Sequence, residues 1–116
     1  MSKGDHVYVA GPMSWGSGID NILAGVNAGD RLMAVGEVPF IPHISHFWAL
    51  MNGNRWTHEQ WLAYDKYWVL SAKALIRLPG KSRGADQEVR WARRHGIKVY
   101  KSVEDYIDEN GLNGSD

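Results

Sequence analysis

Apolar residues in this chain fall into four short runs separated by stretches of helical length. His6 to Ala10, Val38 to Ile41, Ala74 to Leu78 and Ile97 to Tyr100 are too short for helices. They are mostly β-branched, aromatic or aliphatic, so they read as strands. Between the first two runs, about Ile19 to Gly36 reads as a helix with Ile22, Leu23, Val26, Leu32, Met33 and Val35 on its apolar face. Pro39 and Pro42 edge the second strand, and an irregular, aromatic loop is expected from His43 to Trp56. Thr57-His58-Glu59-Gln60 is a T-x-x-Q capping box that opens a helix running to about Ala72. A third helix is expected over Ala85 to His95, stopped by Gly96, and a fourth over about Ser102 to Glu109. The tail from Asn110 is expected to fray.

Strands alternating with helices predict an α/β fold. The expected form is a flavodoxin- or Rossmann-like three-layer sandwich around a four- or five-stranded, mainly parallel sheet. Strand 1 is expected at the centre, flanked by strands 2 and 3. At this length the chain, residues 1–116, reads as a single domain. Ligands in such sheets bind at the carboxyl ends of the strands, near the switch point. The loops after strands 1 and 3 therefore face one another there.

Both loops carry candidate chemistry. The first is Gly11-Pro12-Met13-Ser14-Trp15-Gly16-Ser17-Gly18, which is neither a dinucleotide fingerprint nor a Walker loop. The second, Leu78-Pro79-Gly80-Lys81-Ser82-Arg83-Gly84-Ala85-Asp86-Gln87-Glu88, leads into a helix start, where free backbone N–H groups suit a phosphate. Ala85, Glu88, Val89 and Ala92 share one face of that helix, so Glu88 points toward the sheet. A carboxylate on a packing face is costly unless it has a partner or a job. Trp61, Asp65, Trp68 and Ala72 form a comparable stripe on the preceding helix. Asp65 is thus placed inward, where Lys66 and Lys73 are poorly spaced to pair with it.

Composition narrows the field. The formal net charge is zero, which gives no case for a nucleic-acid or membrane partner. There are no cysteines, so disulfides and thiolate metal sites are excluded, and a cytoplasmic setting is expected. His43 and His46 have H-x-x-H spacing but no evident third ligand, so neither a metal nor any other cofactor is expected. The chain holds six tryptophans, with Trp48, Trp56, Trp61 and Trp68 in its middle third. They suit core packing or a subunit interface, with Trp48 and Trp56 also candidates to stack on a base. Phe47, Trp48, Met51 and Trp56 in one stretch predict a homodimer or a dimer of dimers.

Tyr8-Val9-Ala10-Gly11-Pro12-Met13-Ser14, Trp61-Leu62-Ala63-Tyr64-Asp65 and the Ser82-x-Gly84-x-x-x-Glu88 motif together resemble the nucleoside 2-deoxyribosyltransferase-like superfamily. That superfamily includes 2′-deoxynucleoside 5′-monophosphate N-hydrolases and small phage and bacterial proteins of uncertain function, the latter being most alike. The resemblance implies a catalytic set of Tyr8, Asp65 and Glu88, with Glu88 the nucleophile. It also implies a 5′-phosphate held near Gly11, Ser14, Ser82 and Gly84. The implied substrate is a small-molecule nucleotide, a (deoxy)nucleoside 5′-monophosphate with an ordinary or modified base, and the implied reaction is N-glycosidic hydrolysis. Base exchange by a deoxyribosyltransferase and non-catalytic nucleotide binding are the alternatives. Pro12 and Lys73 depart from the pattern of that superfamily.

Overall fold

Alternate residues of strand β1 (His6–Ala10) feed two different cores, as a period of two requires. Val7 and Val9 pack with Ala28, Leu32, Ile76 and Tyr106 on one side of the sheet. Tyr8 and Ala10 pack with Val69, Leu75, Ala85 and Val89 on the other. A computed structural model describes residues 4–13 and 18–112. After β1 come α1 (Gly18–Ala34), β2 (Val38–Phe40), α2 (His43–Met51), α3 (His58–Leu70) and β3 (Ala74–Arg77). Then follow α4 (Arg83–Arg94), β4 (Lys98–Tyr100) and α5 (Val103–Glu109).

The sheet has four strands, all parallel, in the order β2-β1-β3-β4. The expected placement of strand 1 between strands 2 and 3 is therefore correct. Tyr8 lies opposite Phe40 on one side and Leu75 on the other. Helices α1 and α5 cover one face, and α3 and α4 the other. Pro39 is tolerated inside β2 because that strand is an edge.

Three sequence expectations need correction. First, residues 43–51 form helix α2 instead of an irregular loop. Pro42, with φ −63 and ψ −16, already has helical backbone angles and launches the helix. Second, only part of the expected apolar face of α1 packs inward: Leu32 is fully buried and Val35 rests on the core as expected. Leu23, Val26 and Met33 are exposed, while Gly25, Ala28, Gly29 and Leu32 are buried. A methyl group on Gly25 would lie 2.8 Å from the His43 ring, and one on Gly29 would lie 2.4 Å from Ile41. Small residues thus let α1 approach the β2–α2 connection. Third, the chain is ordered past Asn110. The Asn110 amide donates to the Tyr106 carbonyl, and Leu112 packs on the core. Residues 113–116 of the tail lie outside the described residues.

Candidate functional site

Two loops meet at the carboxyl edge of the sheet. Gly80, at φ +112, occupies backbone space that favours glycine, and a Cβ there would lie 2.8 Å from Pro12 Cγ. Pro12 is thus the surface on which the β3–α4 loop rests. Arg77 locks the same loop from beneath. Its guanidinium donates to the carbonyls of Leu78 and Gly80 and pairs with Asp86 at 3.0 Å. Ser82 then caps α4, its hydroxyl oxygen accepting from the Ala85 N–H at 3.0 Å.

Behind these loops stand the three chemical side chains. Tyr8 is fully buried on the central strand, its ring stacked on Phe40, which in turn stacks on Trp68. Its hydroxyl donates to Glu88 Oε2 at 2.5 Å, a bond spanning 80 residues of sequence. Glu88 is only 6 % exposed. Burial lifts its pKa to about 7, with the Tyr8 hydrogen bond and the Arg77 charge opposing the rise and Asp65 adding to it. Asp65 also rises to about 7, through burial. Its Oδ1 is buried without a hydrogen-bond partner among the described residues. The two lysines that follow it in sequence are engaged elsewhere: Lys66 lies over the Trp91 ring, and Lys73 pairs with Glu37 at 2.7 Å. That pair also accounts for Lys73, whose partner Glu37 additionally accepts from the Tyr106 hydroxyl. Burial and the Glu88 charge hold the Tyr8 hydroxyl protonated far into the alkaline range.

Glu88 and Asp65 line one cleft of about 270 Å³. Its apolar walls include Trp61, Leu62 and Ala49, and its other polar side chains are Ser45, His46 and His58. Met13 and Gly84 line this cleft and also a second, wider recess bounded by Lys81, Ser82, Arg83 and Asp86. The two hollows are therefore contiguous, with the amino end of α4 in the wider one.

Tyr8, Asp65 and Glu88 converge as the sequence suggests, and Ser82 and Gly84 stand beside them. Gly11 does not line either hollow. It is buried, and a Cβ there would meet Leu78 and His43, so its smallness serves packing. Trp48 and Trp56 do not line the cleft either. They border a separate recess, and Trp61 is the tryptophan that walls both. Ser14 lies outside the described residues. Sequence reasoning missed Ser45, His46 and His58 as cleft residues. The signal of Ser45 and His46 was hidden because 43–51 was not read as a helix, and a loop has no face to assign; His58 lies on α3 at i, i+3 and i+7 with Trp61 and Asp65, a spacing that could have found it. The two histidines of H-x-x-H separate in space. His43 is fully buried against Gly25, and its ring is held below the ordinary histidine range by burial, partly offset by the Pro12 backbone. His46 lines the cleft. Among the described residues, no group of three His, Asp or Glu side chains is placed to hold a metal ion.

No curated protein matches the sequence. The family model described as Domain of unknown function (DUF4406) matches residues 5–101, a span that takes in the whole sheet and Tyr8, Asp65 and Glu88; the chain belongs to that family.

Proposed function

We propose that this protein hydrolyses the N-glycosidic bond of a (deoxy)nucleoside 5′-monophosphate, releasing free base and sugar 5-phosphate. The reading places the protein in the nucleoside 2-deoxyribosyltransferase-like superfamily. One observation carries it: a buried glutamate, oriented by a tyrosine hydroxyl, shares a cleft with a half-buried aspartate whose Oδ1 is enclosed without a hydrogen-bond partner among the described residues.

Two coupled carboxyls near pH 7 hold one proton between them over the neutral range. Glu88 receives the Tyr8 hydrogen bond and feels Arg77, so it is the better anion. Asp65 keeps the proton. Glu88, with Oε2 held by Tyr8, presents Oε1 to the anomeric carbon. As that C–O bond forms, the C–N bond breaks and its electrons pass to the base, which takes the Asp65 proton. A glycosyl ester and an Asp65 carboxylate result. Asp65 then removes a proton from water, whose oxygen attacks the anomeric carbon and frees Glu88. Trp61 and Leu62 offer apolar surface to the base. The 5′-phosphate fits the wider recess, where the α4 amides, the Ser82 hydroxyl proton, Lys81 and Arg83 are at hand. Asp86 also borders that recess, but its charge is paired with Arg77.

The test is chromatography of free base after incubation with deoxyribo- and ribonucleoside 5′-monophosphates. Base release by the wild type and none by Glu88→Gln is expected. Consumption of an added second base into a new nucleotide would indicate base exchange instead. Binding without release or exchange by the wild type would leave a nucleotide-binding module.

A further inference from the structure

We infer that His58 reads the edge of the substrate base that lies farthest from the glycosidic bond, and so sets which bases the cleft accepts. The inference rests on the proposed nucleotide chemistry and adds to it a residue that the mechanism does not use.

Position comes first. His58 is the first residue of α3, directly after the Thr57 cap. Together with Trp61 and Asp65 of the same helix it lines the cleft of about 270 Å³. The three stand at i, i+3 and i+7, which is one face of a helix. Seven residues advance about 10 Å along a helix axis. The face therefore runs from Asp65, beside the bond that breaks, past Trp61, to an imidazole two turns away. A hydrogen bond takes up about 3 Å at each end of that span. What remains is the breadth of a heterocyclic ring, with Trp61 as the surface it lies against.

Availability comes second. Asp65 and Glu88 are committed to cleavage of the bond. His46, the other imidazole of the cleft, already has an interaction within the protein. The His58 ring makes no hydrogen bond, ion pair or ring contact with the described residues. It is exposed, so a ligand in the cleft can reach it. A neutral imidazole presents one N–H and one lone pair. It can donate to a ring carbonyl or accept from an exocyclic amino group. Whichever bond its position favours, a base with the other group at that edge leaves the imidazole without it. Water offsets part of that loss at an exposed residue. The discrimination is therefore about tenfold, against about 10⁴ for a closed polar site.

The test is calorimetric titration of Glu88→Gln protein, in which binding is read without turnover. The 5′-monophosphates of 2′-deoxycytidine and 2′-deoxyuridine differ at the distant edge, amino against carbonyl. Those of 2′-deoxyadenosine and 2′-deoxyinosine differ in the same way. One member of at least one pair should bind about tenfold more tightly. Adding His58→Phe, which keeps a ring but removes both nitrogens, should bring that ratio within about twofold. Binding of 2-deoxyribose 5-phosphate, which has no base, should stay the same, whereas a merely structural role for His58 would weaken it too. The inference is overturned if no nucleotide binds, if neither pair is discriminated, if the ratio survives His58→Phe, or if the sugar phosphate weakens in step. Base release by the wild type is assayed separately. Its absence beside a His58-dependent ratio rejects hydrolysis and keeps the base reader. Base release beside a His58-independent ratio keeps hydrolysis and rejects the reader.

Discussion

At the scale of the residue, the Tyr8–Glu88–Asp65 set makes claims that pH can check. Glu88→Gln should lose the proposed N-glycosidase turnover by a factor of 10³ or more, about 4 kcal/mol of barrier, with the melting temperature little changed. Tyr8→Phe removes the bond that lowers the Glu88 pKa. Its acidic limb of rate against pH should therefore move to higher pH, and an unmoved limb would detach Tyr8 from Glu88 in the mechanism. Asp65 makes a stability prediction as well. Its carboxyl rises from 3.8 to about 7 on folding because it is buried. The folded state thus holds a proton that the unfolded state has released between about pH 4 and 7. Stability from this group falls as pH rises through that window and is lowest above it. Asp65→Asn removes the ionisation while keeping the shape. Relative to wild type it should gain about 3 kcal/mol between pH 4.5 and pH 8 in urea unfolding. A constant difference across that range would mean Asp65 is not buried as a carboxyl. The inward placement of Glu88 and Asp65 was legible because helical spacing fixes a side chain's face. The Tyr8–Glu88 hydrogen bond was less so, since it joins residues 80 apart and depends on strand order.

Elements were legible where local signals and burial agree. The capping box of α3 is present in full, Thr57 accepting from the Gln60 N–H while Gln60 accepts from the Thr57 N–H. Thr57→Ala should cost about 1 kcal/mol of stability by denaturant melt, with no change in fold. Helix α2 was not legible, for a physical reason. It is apolar on its exposed side, with Ile44, Phe47 and Met51 open to solvent, so no polar face marks a helical period. The same problem hid the packing of α1. Apart from Leu32, its contact side is made of glycine and alanine, which carry little hydrophobic signal but permit close approach. Gly25→Ala tests that contact, because the new methyl would lie 2.8 Å from His43 Nδ1. Either the ring or the helix must move, and overpacking of this kind costs about 1–3 kcal/mol. A neutral Gly25→Ala would show that α1 and α2 are loosely joined. His43 also packs near Gly11, so the strain should reach the first site loop and raise KM more than it lowers kcat.

The exposed apolar residues acquire meaning only at the scale of the whole molecule. Ile44, Phe47 and Met51 recur at i, i+3 and i+7 along α2 and are 59 %, 50 % and 86 % exposed. Helix α1 packs against α2 and adds Ile19, Leu23 and Val26, again at helical spacing, which are also exposed. Two helices of one small protein thus present apolar stripes to solvent, and a stripe of that kind buries itself against another element when one is available. A standard interface covers about 800 Å² per partner, and two adjoining helices of 17 and 9 residues are long enough to supply it. Net charge offers little resistance to self-association, being formally zero at pH 7. The expected outcome is a homodimer, or a dimer of dimers, joined through α1 and α2. Because α2 also carries Ser45 and His46, dimerisation would brace one wall of the cleft. Light scattering at micromolar concentration should give at least twice the chain mass of 13.1 kDa. Phe47→Glu with Met51→Glu should return a monomer with unchanged circular dichroism, since both side chains point outward and neither belongs to the cores. A wild-type mass of one chain would rule the interface out, and a double variant that still dimerises would move it off α2.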